Sequence, residues 1–188
     1  MNNEFVHAQF AHCESGVVST LLSHYGLKIS EPMAFGIAST LSFAYLPIVK
    51  LNNLPLIAYR QIPKNIINKI QKTLGVKIYK KQYQDALEAD LELTRLVIDE
   101  KKIVGLQTSV FYLPYMPADM RFHFNAHNVL AFARNTASGE YSLSDPVFET
   151  PMICPPEALQ KARFAKGVLA PKGLLYYATG KPSTPDWS

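Results

Sequence analysis

Cysteine is scarce in this chain: two residues in 188, Cys13 and Cys154. So few cannot staple a small secreted fold, and a lone bridge is uncommon in a cytosolic protein, so both are expected as free thiols. There is no CxxC pair, no HExxH helix, no glycine-rich phosphate loop and no GxGxxG fingerprint. Zinc, nucleotide and nicotinamide chemistry therefore lose their usual footing, and neither a metal nor a cofactor is expected. No apolar run approaches the roughly 20 residues of a membrane span, and the start, MNNEFVHAQFAHCES, lacks the basic and apolar regions of a secretory signal. A cytoplasmic protein without a membrane span is the expectation. Dense basic stripes are missing too. The lysines are scattered (Lys64, Lys69, Lys72, Lys80, Lys81, Lys101, Lys102) and the net charge is only +4, which argues against nucleic acid and leaves room for an acidic protein partner.

What is present is the material of a core. Hydrophobic residues make up 48% and charged residues 18%, with ten Tyr and ten Phe, so the chain reads as one globular domain over residues 1–188 with a mobile tail at 179–188. Apolar residues recur at helical spacing from Cys13 to Tyr25 (Val17, Val18, Leu21, Leu22), and Gly26 follows as a terminator. Ser30, Glu31 and Pro32 start a short helix ending near Gly36. Strands are expected at 41–48 and 54–59, with Asn52 and Asn53 turning between them. Pro63 opens a helix whose stripe is Ile66, Ile67, Ile70 and Leu74, closed by Gly75. A short strand at 76–79 and a long helix over 84–100, with Leu87, Leu91, Leu93, Leu96 and Val97 facing inward, come next. Strands follow at 103–112, 127–134 and 140–145, then a helix at 156–164 and a strand at 173–178. Helices in front and an antiparallel sheet behind give an α+β fold.

Thiol chemistry remains open to such a chain. Cys13 sits at the first turn of a helix, where unpaired backbone N–H groups favour thiolate and can also hold an oxyanion. An attacking thiolate needs a base and the base an orienting partner. His127 begins one strand and Asp145 ends the next; in an antiparallel hairpin an even register sum puts them side by side, while an odd sum would require a bulge. Each residue also has a plainer use: Cys13 as an inert buried thiol, His127 as a structural histidine, Asp145 as the opener of an Asp-Pro turn. Cys154, before two prolines, reads as structural. His123 and His127 lie four apart on a strand-like stretch, roughly 13 Å, too far for one metal ion. His7 and His12 could line the cleft of the thiol, and Gln9 could donate to an oxyanion.

Cysteine early, histidine late and acid shortly after is the chain order of papain-like thiol enzymes. The stretch HCESGVVSTLLSHYGLKISEPMAFGIASTLSFAY, with FYLPY, HNVLAFARN and SLSDPV after it, resembles the N-terminal domain family of butirosin biosynthesis protein H across about residues 7–165. That resemblance implies a papain-like fold and an acyltransferase, or a thioesterase if water is the acceptor, that takes an acyl group from an acyl carrier protein. Phosphopantetheine would enter only as the prosthetic arm of that carrier. Carried across, Cys13 is the nucleophile, His127 the base and Asp145 the orienting acid. A peptidase or amidase of the same fold and a non-catalytic binding domain are the competing readings. The family's namesake carries a further C-terminal region that is not expected in these 188 residues, which leaves the acceptor open.

Overall fold

The computed structural model describes residues 4–51 and 53–180. From residue 181 on, the expected mobile tail lies outside the described residues. The chain opens with α1 (Cys13–His24) and α2 (Glu31–Ile37), passes through a hairpin of β1 (Leu41–Leu51) and β2 (Leu54–Arg60), and continues with α3 (Asn65–Leu74), β3 (Ile78–Lys81) and α4 (Ala86–Thr94). Then come β4 (Val104–Thr108), β5 (His127–Arg134), β6 (Tyr141–Ser144), β7 (Met152–Cys154), α5 (Pro156–Arg163) and β8 (Leu175–Ala178). Six strands form one antiparallel sheet in the order β3-β8-β4-β5-β6-β7, and β1 and β2 form a separate two-stranded sheet.

The period-two pattern of β5 explains the layering. Leu130 and Phe132 pack with Val17, Leu21, Ile66 and Ile70 of α1 and α3, while Val129 and Ala131 pack with Leu93 of α4 and Leu159 of α5. Helices therefore cover both faces, which extends the expected arrangement of helices on one side. Four side chains of α1, Val17, Val18, Leu21 and Leu22, are fully buried. Each contributes roughly 1.5–3 kcal/mol of transfer free energy, and α1 is held by this burial rather than by a clean apolar stripe.

Four elements differ from the expectation. The inward stripe of α4 is Ala89 and Leu93, continued by Leu96 and Val97 in a π-helical turn (Arg95–Asp99), while Leu87 and Leu91 point to solvent. Leu87 and Leu91 lie on one side of the helix and Ala89, Leu93, Leu96 and Val97 on another, and the sheet selects the second. The strand expected through 112 stops at Thr108, because Ser109 N–H turns to Ala162 O (2.9 Å) and a 3-10 turn follows. The strand expected at 76–79 runs instead from Ile78 to Lys81, and β7, three residues long, has too few side chains to show a period.

Close packing puts a glycine where β4 meets β8. A Cβ on Gly105 would lie 2.0 Å from Cε2 of the buried Tyr176 ring, whereas a Cβ on Gly36 in α2 would meet nothing within 4 Å. In urea unfolding, Gly105→Ala is expected to cost about 1–3 kcal/mol or more, and Gly36→Ala to be neutral or to stabilise by up to about 1 kcal/mol. Equal effects of the two substitutions would contradict this packing.

Candidate active site

Cys13 stands at the N-terminus of α1, partly exposed, with its backbone among the first N–H groups that have no acceptor within the helix. His12 is the cap: its Nδ1 accepts the Ser15 N–H at 3.3 Å, and the Ser15 hydroxyl donates to Glu31 Oε1 at 2.6 Å. The stretch before the helix is laced to the turn after β6. His7 uses both ring nitrogens, on Ser144 Oγ (2.7 Å) and Phe148 O (2.9 Å); Gln9 Nε2 donates to Val147 O (3.0 Å); and Phe10 N–H donates to Pro146 O (2.8 Å). Gly16 leaves room for Phe10, whose Cβ lies 2.8 Å from where a glycine Cβ would stand. This lacing fixes where Cys13 begins its helix relative to Asp145. It also engages His7 and the Gln9 amide, which makes them fasteners rather than the cleft lining and oxyanion donor the sequence suggests.

The strand register answers the parity question. Next to the site β5 and β6 pair as Leu130↔Ser144 and Ala131↔Leu143, an even sum, and a bulge follows before Ala133↔Ser142. The bulge thus falls beyond the site, and His127 and Asp145 keep the same face. His127 Nε2 lies 2.7 Å from Asp145 Oδ2, with both side chains buried. Asp145 does more than orient a ring. Its Oδ1 accepts Val147 N–H (3.1 Å), closing the Asp-Pro turn, and its Oδ2 also accepts the Tyr115 hydroxyl (3.0 Å). Turn opener and ring partner are therefore one carboxylate with two oxygens.

With Nε2 given to Asp145, Nδ1 is the His127 nitrogen left to face Cys13, and the His127 ring and the Asn128 backbone N–H both favour the ionised thiol. Burial pushes the thiol up, but these interactions and the positive charges of His127 and Arg60 outweigh it, and Cys13 sits below the ordinary thiol range. Burial alone would lower His127; the charge and hydrogen bond of Asp145, with help from Cys13, raise it to about 10. His12 goes the other way, to about 4, through burial first and then the positive charges of Arg60 and His127. The arrangement favours a thiolate facing an imidazolium, with a neutral histidine alongside. Cys154 is remote from this chemistry: it is fully buried, its Sγ lies 3.6 Å from Pro155 O, and burial with the charge of Glu157 raises it to about 12. His123 stacks on Phe111 at 4.0 Å between ring centroids, and among the described residues no group of His, Cys, Asp and Glu could hold a metal.

Two residues of the site escape sequence reasoning. Tyr115 lies in FYLPY, where aromatic runs suggest core and nothing signals a hydroxyl aimed at a distant carboxylate. Glu14, next to Cys13, is buried, and its carboxylate accepts the N–H groups of Lys64 (3.0 Å) and Ile67 (3.3 Å), capping α3 from another helix. Burial raises its pKa against those hydrogen bonds. A signal did exist: α3 begins after Pro63-Lys64 with no Ser, Thr, Asp or Asn of its own at the cap, so its donors need an acceptor from elsewhere.

The chain resembles known proteins in two ways. The family described as butirosin biosynthesis protein H, N-terminal, matches residues 12–146. Among solved structures, a Bacillus anthracis protein described as a C39-like peptidase superposes with a TM-score of 0.66 at 13% identity, covering 96% of each chain. The peptidase domain of Streptococcus ComA, described as a bifunctional ABC transporter of a quorum-sensing pathway, superposes with a TM-score of 0.55 at 10% identity, covering 94% of this chain and 99% of that one. Both likenesses establish the papain-like fold. No curated protein matches the sequence.

A thiolate held this way is observable. Absorbance near 240 nm, corrected with Cys13→Ala, is expected to titrate with a midpoint below the free-thiol value of about 8.5. In His127→Ala the midpoint is expected to rise, since burial then acts without its counterweight. An unchanged midpoint would mean that the imidazole does not set the charge of the sulfur.

Proposed function

Because the chain belongs to the butirosin biosynthesis protein H N-terminal family, we propose that it is a cytoplasmic cysteine acyltransferase that takes its acyl group from the thioester of an acyl carrier protein. The observation that carries this reading is the buried His127–Asp145 pair beside the partly exposed Cys13 thiol at a helix N-terminus. The Cys13 thiolate attacks the thioester carbonyl, and a new carbon–sulfur bond forms as the carrier's carbon–sulfur bond breaks. The oxyanion of the tetrahedral intermediate lies where the first-turn N–H groups of α1 point. The carrier departs as a thiol, taking the proton from His127. An amine then attacks the acyl-enzyme; His127 accepts its proton, the bond to Cys13 breaks, and amide and thiolate–imidazolium pair are regenerated. With water in place of the amine, the same steps give a thioesterase.

Tyr115 and Asp145 act as positioning residues for His127, and Glu14 ties the Cys13 turn to α3. The mildly basic chain, at +4, suits an acidic carrier. A peptidase or amidase is the second reading, favoured by the descriptions of the two structural neighbours. The two readings part on the bond that is broken.

Mass spectrometry after mixing with an acyl carrier thioester is expected to show one acyl group on Cys13, none on the Cys13→Ala protein, and acylation slowed by about 10²–10⁴ in His127→Ala. Peptide cleavage without any thioester adduct would replace the acyltransferase with the peptidase. Neither adduct nor cleavage would leave a binding domain.

A further inference from the structure

A cleft of about 440 Å³ is walled by Ile62, Lys64, Gln82, Gln107, Leu169 and Lys172. Two of its walls are each one residue removed from Cys13. The Lys64 N–H rests on the carboxylate of Glu14, the chain neighbour of Cys13, and Gln107 pairs across β4 and β5 with Asn128, whose N–H reaches the sulfur. The third wall is pinned in place. Gln107 Nε2 donates to Leu169 O (3.2 Å) and Asn125 O (3.0 Å), Asn125 Nδ2 donates to Lys166 O (3.2 Å) and Val168 O (2.9 Å), and Tyr83 N–H donates to Lys172 O (3.1 Å).

Two features of this cleft are unused by the fold. Gln107 is 1% exposed, both of its Nε2 bonds are made, and its Oε1 has no partner among the described residues. A buried acceptor left alone costs about 1–3 kcal/mol unless something donates to it. Lys64 and Lys172 line the same cleft, and neither ammonium has a carboxylate at ion-pair distance among the described residues. Glu14 does lie near Lys64, but its oxygens are spent on backbone N–H groups. Lys64 is held below the ordinary lysine range by burial and then by the charge of Lys172, with Glu14 opposing. Two like charges at one opening and a buried acceptor deeper in ask for a ligand with an anion at one end and an amide N–H behind it.

We propose that this cleft takes the phosphorylated, amide-bearing arm of the acyl donor, with its phosphate between Lys64 and Lys172 and an amide N–H on Gln107 Oε1. The thioester end of the arm is then directed toward the side of the cleft that Glu14 and Asn128 connect to Cys13. The inference rests on the acyl-donor reading above and adds to it the place where the donor is held.

The test is binding, so that it does not depend on turnover. Calorimetry with Cys13→Ala protein compares 4′-phosphopantetheine with pantetheine, which lacks the phosphate. The phosphorylated compound is expected to bind at least about tenfold more tightly, and the double variant Lys64→Gln, Lys172→Gln to erase that difference while leaving pantetheine binding unchanged. Equal affinity for the two compounds, or a preference that survives the double substitution, would overturn the assignment. Coenzyme A as a third ligand separates the two sources of the arm: affinity equal to that of phosphopantetheine fits a carrier protein, and a further gain assigns the arm to coenzyme A. Acylation of wild-type Cys13 by a pantetheine thioester, measured separately, tests the acyltransferase reading alone. Success there with no phosphate preference would sink the cleft and spare the chemistry.

Discussion

One buried contact, His127 Nε2 to Asp145 Oδ2 at 2.7 Å, carries the electrostatics of the whole site. A carboxylate with no exposure is costly unless its oxygens are bonded, and Asp145 meets this with three donors: His127, Tyr115 and the Val147 N–H. The same contact makes an imidazolium tolerable in a buried place, and that imidazolium makes a thiolate tolerable beside it. The lowering of the thiol pKa thus traces through His127 to a carboxylate that raises that ring's own pKa. His12 shows the other side of this arithmetic. It lacks a carboxylate of its own, lies within reach of the charges on Arg60 and His127, and is neutral well below physiological pH. Of two histidines flanking one thiol, only the one with an acid behind it bears charge.

Such a contact needs backbone precision from elements far apart in the chain, and the fold supplies it by lacing. Residues 7–10 are tied at four points to the turn that carries Asp145, so the helix that starts at Cys13 inherits the position of that turn. The bulge in β5 and β6 lies past His127 and Asp145, which adds twist without exchanging their faces. Glu14 fastens the far side. By capping α3 it couples the Cys13 turn to a helix that lacks its own cap and sets one wall of the neighbouring cleft.

Local chemistry explains which parts were legible in the sequence. α1, α2, α3 and α5 announce themselves through caps, prolines and spacing, because those signals act within a few residues. Cys13, His127 and Asp145 could be grouped by residue type, chain order and the parity of a hairpin register. The roles of Tyr115 and Glu14 were not legible, because a hydroxyl and a carboxylate find their partners 30 and 50 or more residues away. The face of α4 was misjudged for a related reason: its leucines fit two stripes equally well, and only the sheet decides. Gln9 looked available because its partner, Val147 O, is a main-chain oxygen that no side-chain pattern reveals.

The charge state also bears on which bond such a site breaks most readily. A peptide nitrogen leaves as an amine only if it is protonated on departure, and an imidazolium stabilised up to about 10 by Asp145 gives up its proton reluctantly. A thioester asks less, since a thiolate is a competent leaving group near neutral pH and exchange of one sulfur ester for another is nearly balanced. Once the departing carrier thiol has taken its proton, the neutral His127, with Asp145 behind it, can accept the proton that an attacking amine must lose. Tight pairing of histidine with acid thus costs little on the way into a thioester and helps on the way out to an amide.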